Sequence, residues 1–110
     1  MGEFVKGSIV VVPFPFSDLS GSKRRPALVL ADLKGDDIIL CQITSQTVRD
    51  NNSIPINNND FISGSLPVQS NIRPNRIFTA DKNIIIRKVG TINNITMKST
   101  TNRVVDILTK

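Results

Sequence analysis

Residues 13–30 read PFPFSDLSGSKRRPALVL, from Pro13 to Leu30. Two prolines alternate with two phenylalanines (Pro13, Phe14, Pro15, Phe16). Proline fixes φ and removes a backbone donor, so a strand arriving here must stop. Ser17 to Ser22 has loop composition, because Asp, Ser and Gly favour turns. Lys23, Arg24 and Arg25 set three cations at the end of that loop. Pro26 biases Arg25 toward extended backbone, and Ala27-Leu28-Val29-Leu30 is a short apolar run suited to a buried strand. Arg25 is therefore expected where a loop meets a sheet, a position that suits phosphate recognition by a guanidinium.

Upstream, Ile9-Val10-Val11-Val12 is a β-branched run that predicts the first strand. Downstream, Lys34-Gly35-Asp36-Asp37 is a turn signal short enough for an antiparallel hairpin into a third strand over residues 38–44. Consecutive strands at this spacing point to a mainly β fold, a small antiparallel barrel rather than a βαβ unit. Ile54-Pro55-Ile56 reads as a short edge strand, since its central proline disfavours an interior position. Residues 61–67 read as a turn-rich bridge. Ser70 to Ala80 predicts another strand interrupted near Pro74, and Ile84-Ile85-Ile86 fits either a short strand or one helical turn. The C-terminal segment predicts a helix, with Asn93 as N-cap and Ile92 and Met97 at hydrophobic-staple spacing. Its expected apolar face is Met97, Val104 and Leu108, widened by Val105 and Ile107, with Lys110 in the last turn.

The length, 110 residues, predicts one domain over 1–110 that can bury roughly two thirds of its unfolded surface without a disulfide or metal. The single cysteine, Cys41, lies in an apolar run and reads as a small buried hydrophobe. Without a signal-peptide pattern or a long apolar run, the expectation is a soluble cytoplasmic protein with no membrane association. The formal charge of +5 favours a polyanionic partner. The chain has no His, Tyr or Trp. A His–His ribonuclease mechanism and a Ser–His–Asp triad are thereby excluded, and a zinc site of His and Cys has too few ligands. Base stacking would fall to phenylalanines or arginine planes. For Phe14 and Phe16, packing at the barrel end is favoured over stacking.

If the second and third strands form a hairpin, their outer ends can bring Arg25 and Thr44 together. Arg25 could then hold a phosphate with two parallel donors, and Thr44 Oγ1 could add one hydrogen bond. Ordinary roles stay open: a solvated basic turn for residues 23–25, a strand former or cap for Thr44, an edge-strand cation for Arg73.

The order of the short strand, PFPFSD, the Gly/Ser loop, KRRP, Ile43-Thr44-Ser45-Gln46, the segment from Ile72 to Asp81, and Arg87-Lys88-Val89-Gly90 before a terminal helix resembles the MazF/PemK-like toxins of type II toxin–antitoxin systems. The resemblance implies a small SH3-like barrel, usually a homodimer. It also implies a metal-independent, sequence-selective endoribonuclease (an mRNA interferase) acting on single-stranded RNA through the RNA's own 2′-OH. The products would be a 2′,3′-cyclic phosphate and a 5′-OH, and no cofactor would be needed. A small acidic-tailed antitoxin would block the site. In such toxins the Arg before the Pro of the second strand and the Thr of an Ile-Thr-x-Gln segment are catalytic, which implies Arg25 and Thr44 here. Some PemK-type relatives also use the Arg and Asp of a Val-Arg-x-Asp segment. Here Arg73 is kept, but Asn75 stands for the Asp and cannot exchange a proton, so Arg73 is expected as an auxiliary phosphate contact. Ser17, Lys23, Arg24, Ser45, Gln46, Arg73 and Asn75 are the substrate-binding candidates, and Lys23, Arg24 and Ser17 to Ser22 are expected to form a flexible lip over the RNA with contacts mostly to phosphate.

Two rival readings accompany this one. A non-catalytic SH3-like barrel could bind nucleic acid or a protein without cutting. Toxins of related fold that poison DNA gyrase depend on an aromatic C-terminus, whereas this sequence finishes Val105-Asp106-Ile107-Leu108-Thr109-Lys110.

Overall fold

Val12 of β1 (Ser8–Phe14) stands opposite Arg25 of β2 (Lys23–Asp32), and Ile9 opposite Leu28, in an antiparallel ladder. The structure is a computed structural model that describes residues 4–14 and 23–110. The turn at Gly35 returns the chain into β3 (Asp37–Thr44), which pairs with β2 from Asp32–Ile38 to Ala27–Gln42. β4 (Ile54–Ile56), β5 (Phe61–Gly64), β6 (Ser70–Asp81) and β7 (Arg87–Ile92) follow, and α1 (Asn94–Leu108) comes last. All described pairings are antiparallel, in the order β4-β6-β3-β2-β1-β7-β5, and the sheet curls into a half-barrel. The expectation of a mainly β barrel with a C-terminal helix is met. Among the described residues no helix is long and apolar enough to cross a membrane.

Strand alternation feeds two apolar clusters at once. On one face Ile9, Leu28, Cys41, Ile43, Ile72 and Met97 of α1 are buried together. On the other, Val10, Val12, Ala27, Val29, Ile38 and Leu40 are fully buried, with Phe78 and Ile85 packed against them.

The strand prolines sit where a ladder has only one side. Pro55 lies on the edge strand β4. Beyond Val11, β1 pairs with β2 but no longer with β7, so Pro13 is tolerated. Pro26 pairs with Val11, but the β2–β3 ladder stops one residue short of it. At Pro74 the β3–β6 register jumps from Cys41–Ile77 to Gln42–Arg73, which is the expected interruption, realised as a bulge inside one long strand.

Two expectations are corrected. Residues 61–64 are a strand, β5, paired with β7, rather than part of a bridge. Their glycine content, which reads as a turn signal, serves close backbone approach. Gly64 has φ +72°, and a Cβ there would lie 2.0 Å from the Val89 carbonyl oxygen. The helix is capped and stapled as expected: Asn93 Oδ1 accepts from Thr96 N at 2.8 Å, and Ile92 and Met97 share one cluster. Its buried face, however, is Thr96, Met97 and Thr100. Val104 and Ile107 of the expected face are half-buried, whereas Val105 and Leu108 are 51% and 73% exposed, and Lys110 lies beyond the C-cap Thr109. Of the isoleucine run, Ile84 closes a 3₁₀ turn, Lys82–Ile84.

Candidate functional site

The β2–β3 hairpin is closed by Gly35 at one end and left unpaired at the other. Two residues beyond its last pair, Ala27–Gln42, stand Arg25 on β2 and Thr44 on β3. By strand alternation both lie on the face of Ala27 and Gln42. The same face continues onto β6, where Arg73 pairs with Gln42 and Asn71 with Thr44. Proline at 26 offers no N–H to a ladder, which suits an open strand end. The fold thus sets Arg25, Thr44 and Arg73 on one face of three adjacent strands, with Arg73 level with Gln42 rather than with Thr44.

Their environments differ. Arg25 is half-buried, and its Nε is buried with no hydrogen-bond partner among the described residues. A guanidinium cannot shed its proton, so this group is a fixed cation with unfilled donors. Thr44 is 7% exposed, and its Oγ1 accepts from Gln46 N at 3.2 Å. The hydroxyl hydrogen is left to donate. Asn71 Nδ2 donates to the Gln46 carbonyl at 3.2 Å, which fixes the turn that follows Thr44. Arg73 Nη2 meets Asp50 Oδ2 at 3.2 Å. Asp50 Oδ1 also accepts from Asn52 N and Ser53 N, at 2.9 and 3.1 Å. The Asn52 N–H, aided by Arg73 and the Ser53 N–H, holds the Asp50 carboxyl below its usual range.

The remaining candidates divide. Arg24 and Ser45, each next in sequence to Arg25 and Thr44, alternate to the opposite face and border a cleft of about 710 Å³. Gln46 is exposed beside the site, held through its backbone. Asn75 is exposed in the bulge of β6, off the ladder that aligns Arg73 with Gln42. Ser17 to Ser22 lie outside the described residues, as does the side chain of Lys23. Burial pushes the Cys41 thiol up to about 12, so it is no nucleophile at neutral pH.

Asp50 was not singled out by sequence reasoning. An Asp with Asn52 and Ser53 close behind is a visible Asx-turn signal, but its pairing with Arg73 depends on strand order. The cleft cations Arg87 and Lys88 are equally invisible as a site until β7 is placed beside β1.

The fold is that of known toxins. A mycobacterial endoribonuclease solved in complex with its cognate antitoxin superposes with TM-score 0.74 at 16% identity, over 94% of this chain and 93% of that one. The MazE–MazF complex of Deinococcus radiodurans, in its third crystal form, gives 0.75 at 17% identity over 94% of each chain. The Mycobacterium tuberculosis toxin MazF-mt6 gives 0.72 at 15% identity, over 92% of this chain and 95% of that one. No curated protein matches the sequence. Residues 5–108 match the family described as PemK-like, MazF-like toxins of type II toxin–antitoxin systems, so the chain belongs to that family.

Proposed function

We propose that this protein is a sequence-selective endoribonuclease that cuts single-stranded RNA without a metal and is neutralised by a cognate antitoxin. The observation that carries the reading is the alignment of Arg25 and Thr44 on one face at the unpaired end of the β2–β3 hairpin, with the Arg25 guanidinium unpartnered among the described residues. Membership of a toxin family and the endoribonuclease fold neighbours support it.

In the proposed reaction the RNA 2′-oxygen attacks the adjacent phosphorus, the P–O5′ bond breaks, and a 2′,3′-cyclic phosphate forms. The 2′-OH proton leaves to water or a phosphoryl oxygen, and the departing 5′-oxygen takes one up from water. Arg25 is a poor base because it stays protonated. Its role is to hold the phosphoryl oxygens with two parallel donors as their charge grows. The Thr44 hydroxyl adds a donor from the next strand while its oxygen stays anchored on Gln46 N. Arg73, tied to Asp50, is an auxiliary phosphate contact at the far side of the face.

A homodimer is part of the proposal. Ile95, Val105 and Leu108 leave apolar surface on α1 for a second copy. The formal charge of +5 suits both RNA and an acidic antitoxin segment.

The test is cleavage of a long mixed-sequence RNA in EDTA, with Arg25→Ala as control and end-group analysis of the products. Discrete cuts bearing cyclic phosphate that vanish in the variant support the proposal. Intact RNA under conditions where folded protein binds it would replace it with a non-catalytic binding module.

A further inference from the structure

Arg24 and Arg25 are neighbours on one strand that serve opposite faces of the sheet. The cleft on the Arg24 side is walled by Val11 and Pro26 below and by Leu66 and Val68 of the β5–β6 connection. Arg24, Arg87 and Lys88 stand along its rim, all exposed. None of the three makes an ion pair or a side-chain hydrogen bond among the described residues, whereas Arg73, Lys82 and Arg103 are engaged. Its volume of about 710 Å³ falls within the range of about 300–1,000 Å³ typical of small-ligand sites. Apolar walls beneath a cationic rim suit a flat, largely apolar base that carries a phosphate. Among the described residues no aromatic side chain borders the cleft, and the flat surfaces they offer a base are the guanidinium planes of Arg24 and Arg87.

We infer that this cleft is a nucleotide subsite. It takes the base and phosphate next to the cleaved linkage, with the RNA strand passing over the open end of the β2–β3 hairpin. Arg25 borders both spaces, so a single strand crossing that edge meets Arg25 and Thr44 on one side and Arg87 and Lys88 on the other. Arg87 and Lys88 thereby become determinants of the cleaved word. The inference rests on the proposed RNA substrate; occupancy of the cleft by RNA does not require cleavage, whereas the part of Arg87 and Lys88 in choosing the word does.

The experiment measures binding of a short, labelled single-stranded 2′-O-methyl RNA, which cannot be cut, to wild type, to Arg87→Ala/Lys88→Ala and to Lys34→Ala/Lys98→Ala. The last removes two exposed cations away from the cleft and matches the loss of charge. All four side chains are exposed, and circular dichroism checks that each variant folds. The cleft variant should bind about tenfold more weakly, and its plot of log K against log salt should flatten by about 1.4, the release expected for two single-strand phosphate contacts. The control should change far less. With cleavable RNA, the cleft variant should raise KM more than it lowers kcat and should relax the word at one position.

Equal losses in the two variants would reduce the cleft to general attraction and overturn the inference, as would wild-type protein that binds no RNA. Loss of binding to an Asp/Glu-rich peptide with RNA binding intact would also overturn it and assign the cleft to a protein partner. If uncleavable RNA binds through the cleft while cleavable RNA stays intact, the subsite stands and the nuclease reading falls. If RNA is cut normally by the cleft variant, the reverse holds.

Discussion

Asp50, in the connection between β3 and β4, accepts from Arg73 Nη2 on β6 at 3.2 Å while also gathering the backbone N–H groups of Asn52 and Ser53. One carboxylate thus folds its own loop and fixes a cation of the candidate site. Its pKa lies below the ordinary value of 3.8, first through the Asn52 N–H. A lowered carboxylate stabilises the fold above its unfolded pKa, and that contribution is lost as pH falls through the folded value. Asp50→Asn should therefore melt below wild type at neutral pH, with the gap in Tm closing as pH drops below 3.8. A gap that persists at low pH would show that the charge of Asp50 is not what matters.

Arg25→Ala should lower single-turnover RNA cleavage by about two to three decades, the usual cost of removing a preorganised donor from a developing oxyanion. Arg25→Lys keeps the charge but not the planar fork and should remain badly impaired. Near-normal activity in the lysine variant would rule out two-donor recognition.

Thr44→Val keeps the shape and deletes the oxygen that accepts from Gln46 N. The lost bond should cost about 1 kcal/mol in urea denaturation, and cleavage should fall as well. Thr44→Ser retains the hydroxyl and should stay within severalfold of wild type in rate. If Val and Ser variants cleave equally, the hydroxyl has no part in the reaction.

Gly64→Ala drives a Cβ to 2.0 Å from the Val89 carbonyl oxygen at a residue with φ +72°. Backbone must move, so the loss should exceed about 2 kcal/mol. Gly35 also has positive φ (+85°), but nothing lies within 4 Å of a Cβ there. Gly35→Ala should cost only the left-handed penalty, about 1–2 kcal/mol. Chemical denaturation of the pair separates collision from conformation.

Cys41 is fully buried, with its thiol raised to about 12. Iodoacetamide at neutral pH should modify it only after unfolding, and Cys41→Ala should leave RNA cleavage intact. Rapid labelling of native protein would contradict the burial.

The strands with strong local patterns were legible: Ile9 to Val12, Ala27 to Leu30 and Ile38 to Thr44 each carry their own apolar signal, and Asn93 announces the helix. What stayed hidden depends on partners distant in sequence. β5 looked like a turn because Gly64 and Ser65 are turn residues, and only its crossing over β7 turns Gly64 into a packing requirement. Val105 and Leu108 of α1 read as part of a core face, but helical periodicity cannot say how deeply each position is covered. That Arg25 and Thr44 share a face at one end of the hairpin could be read from the hairpin alone. Asp50 with Arg73, and the cleft side of β7, required the strand order.

The two apolar clusters have a consequence for how errors show themselves. Ala27 and Val29 serve one cluster and Leu28 the other, and the same split runs through Ile9 and Val10. Slipping β2 by one residue would put a leucine where alanine fits and leave gaps on the reverse side, damaging both hydrophobic centres together. The same slip would turn Arg25 away from Thr44. A misthreaded chain should therefore be lost to instability before it can present a misbuilt site. In a mutational scan of this protein, abundance and activity should separate cleanly: a substituted chain that accumulates in folded form has its guanidinium on the right side, and any activity it lacks has been lost at the site itself.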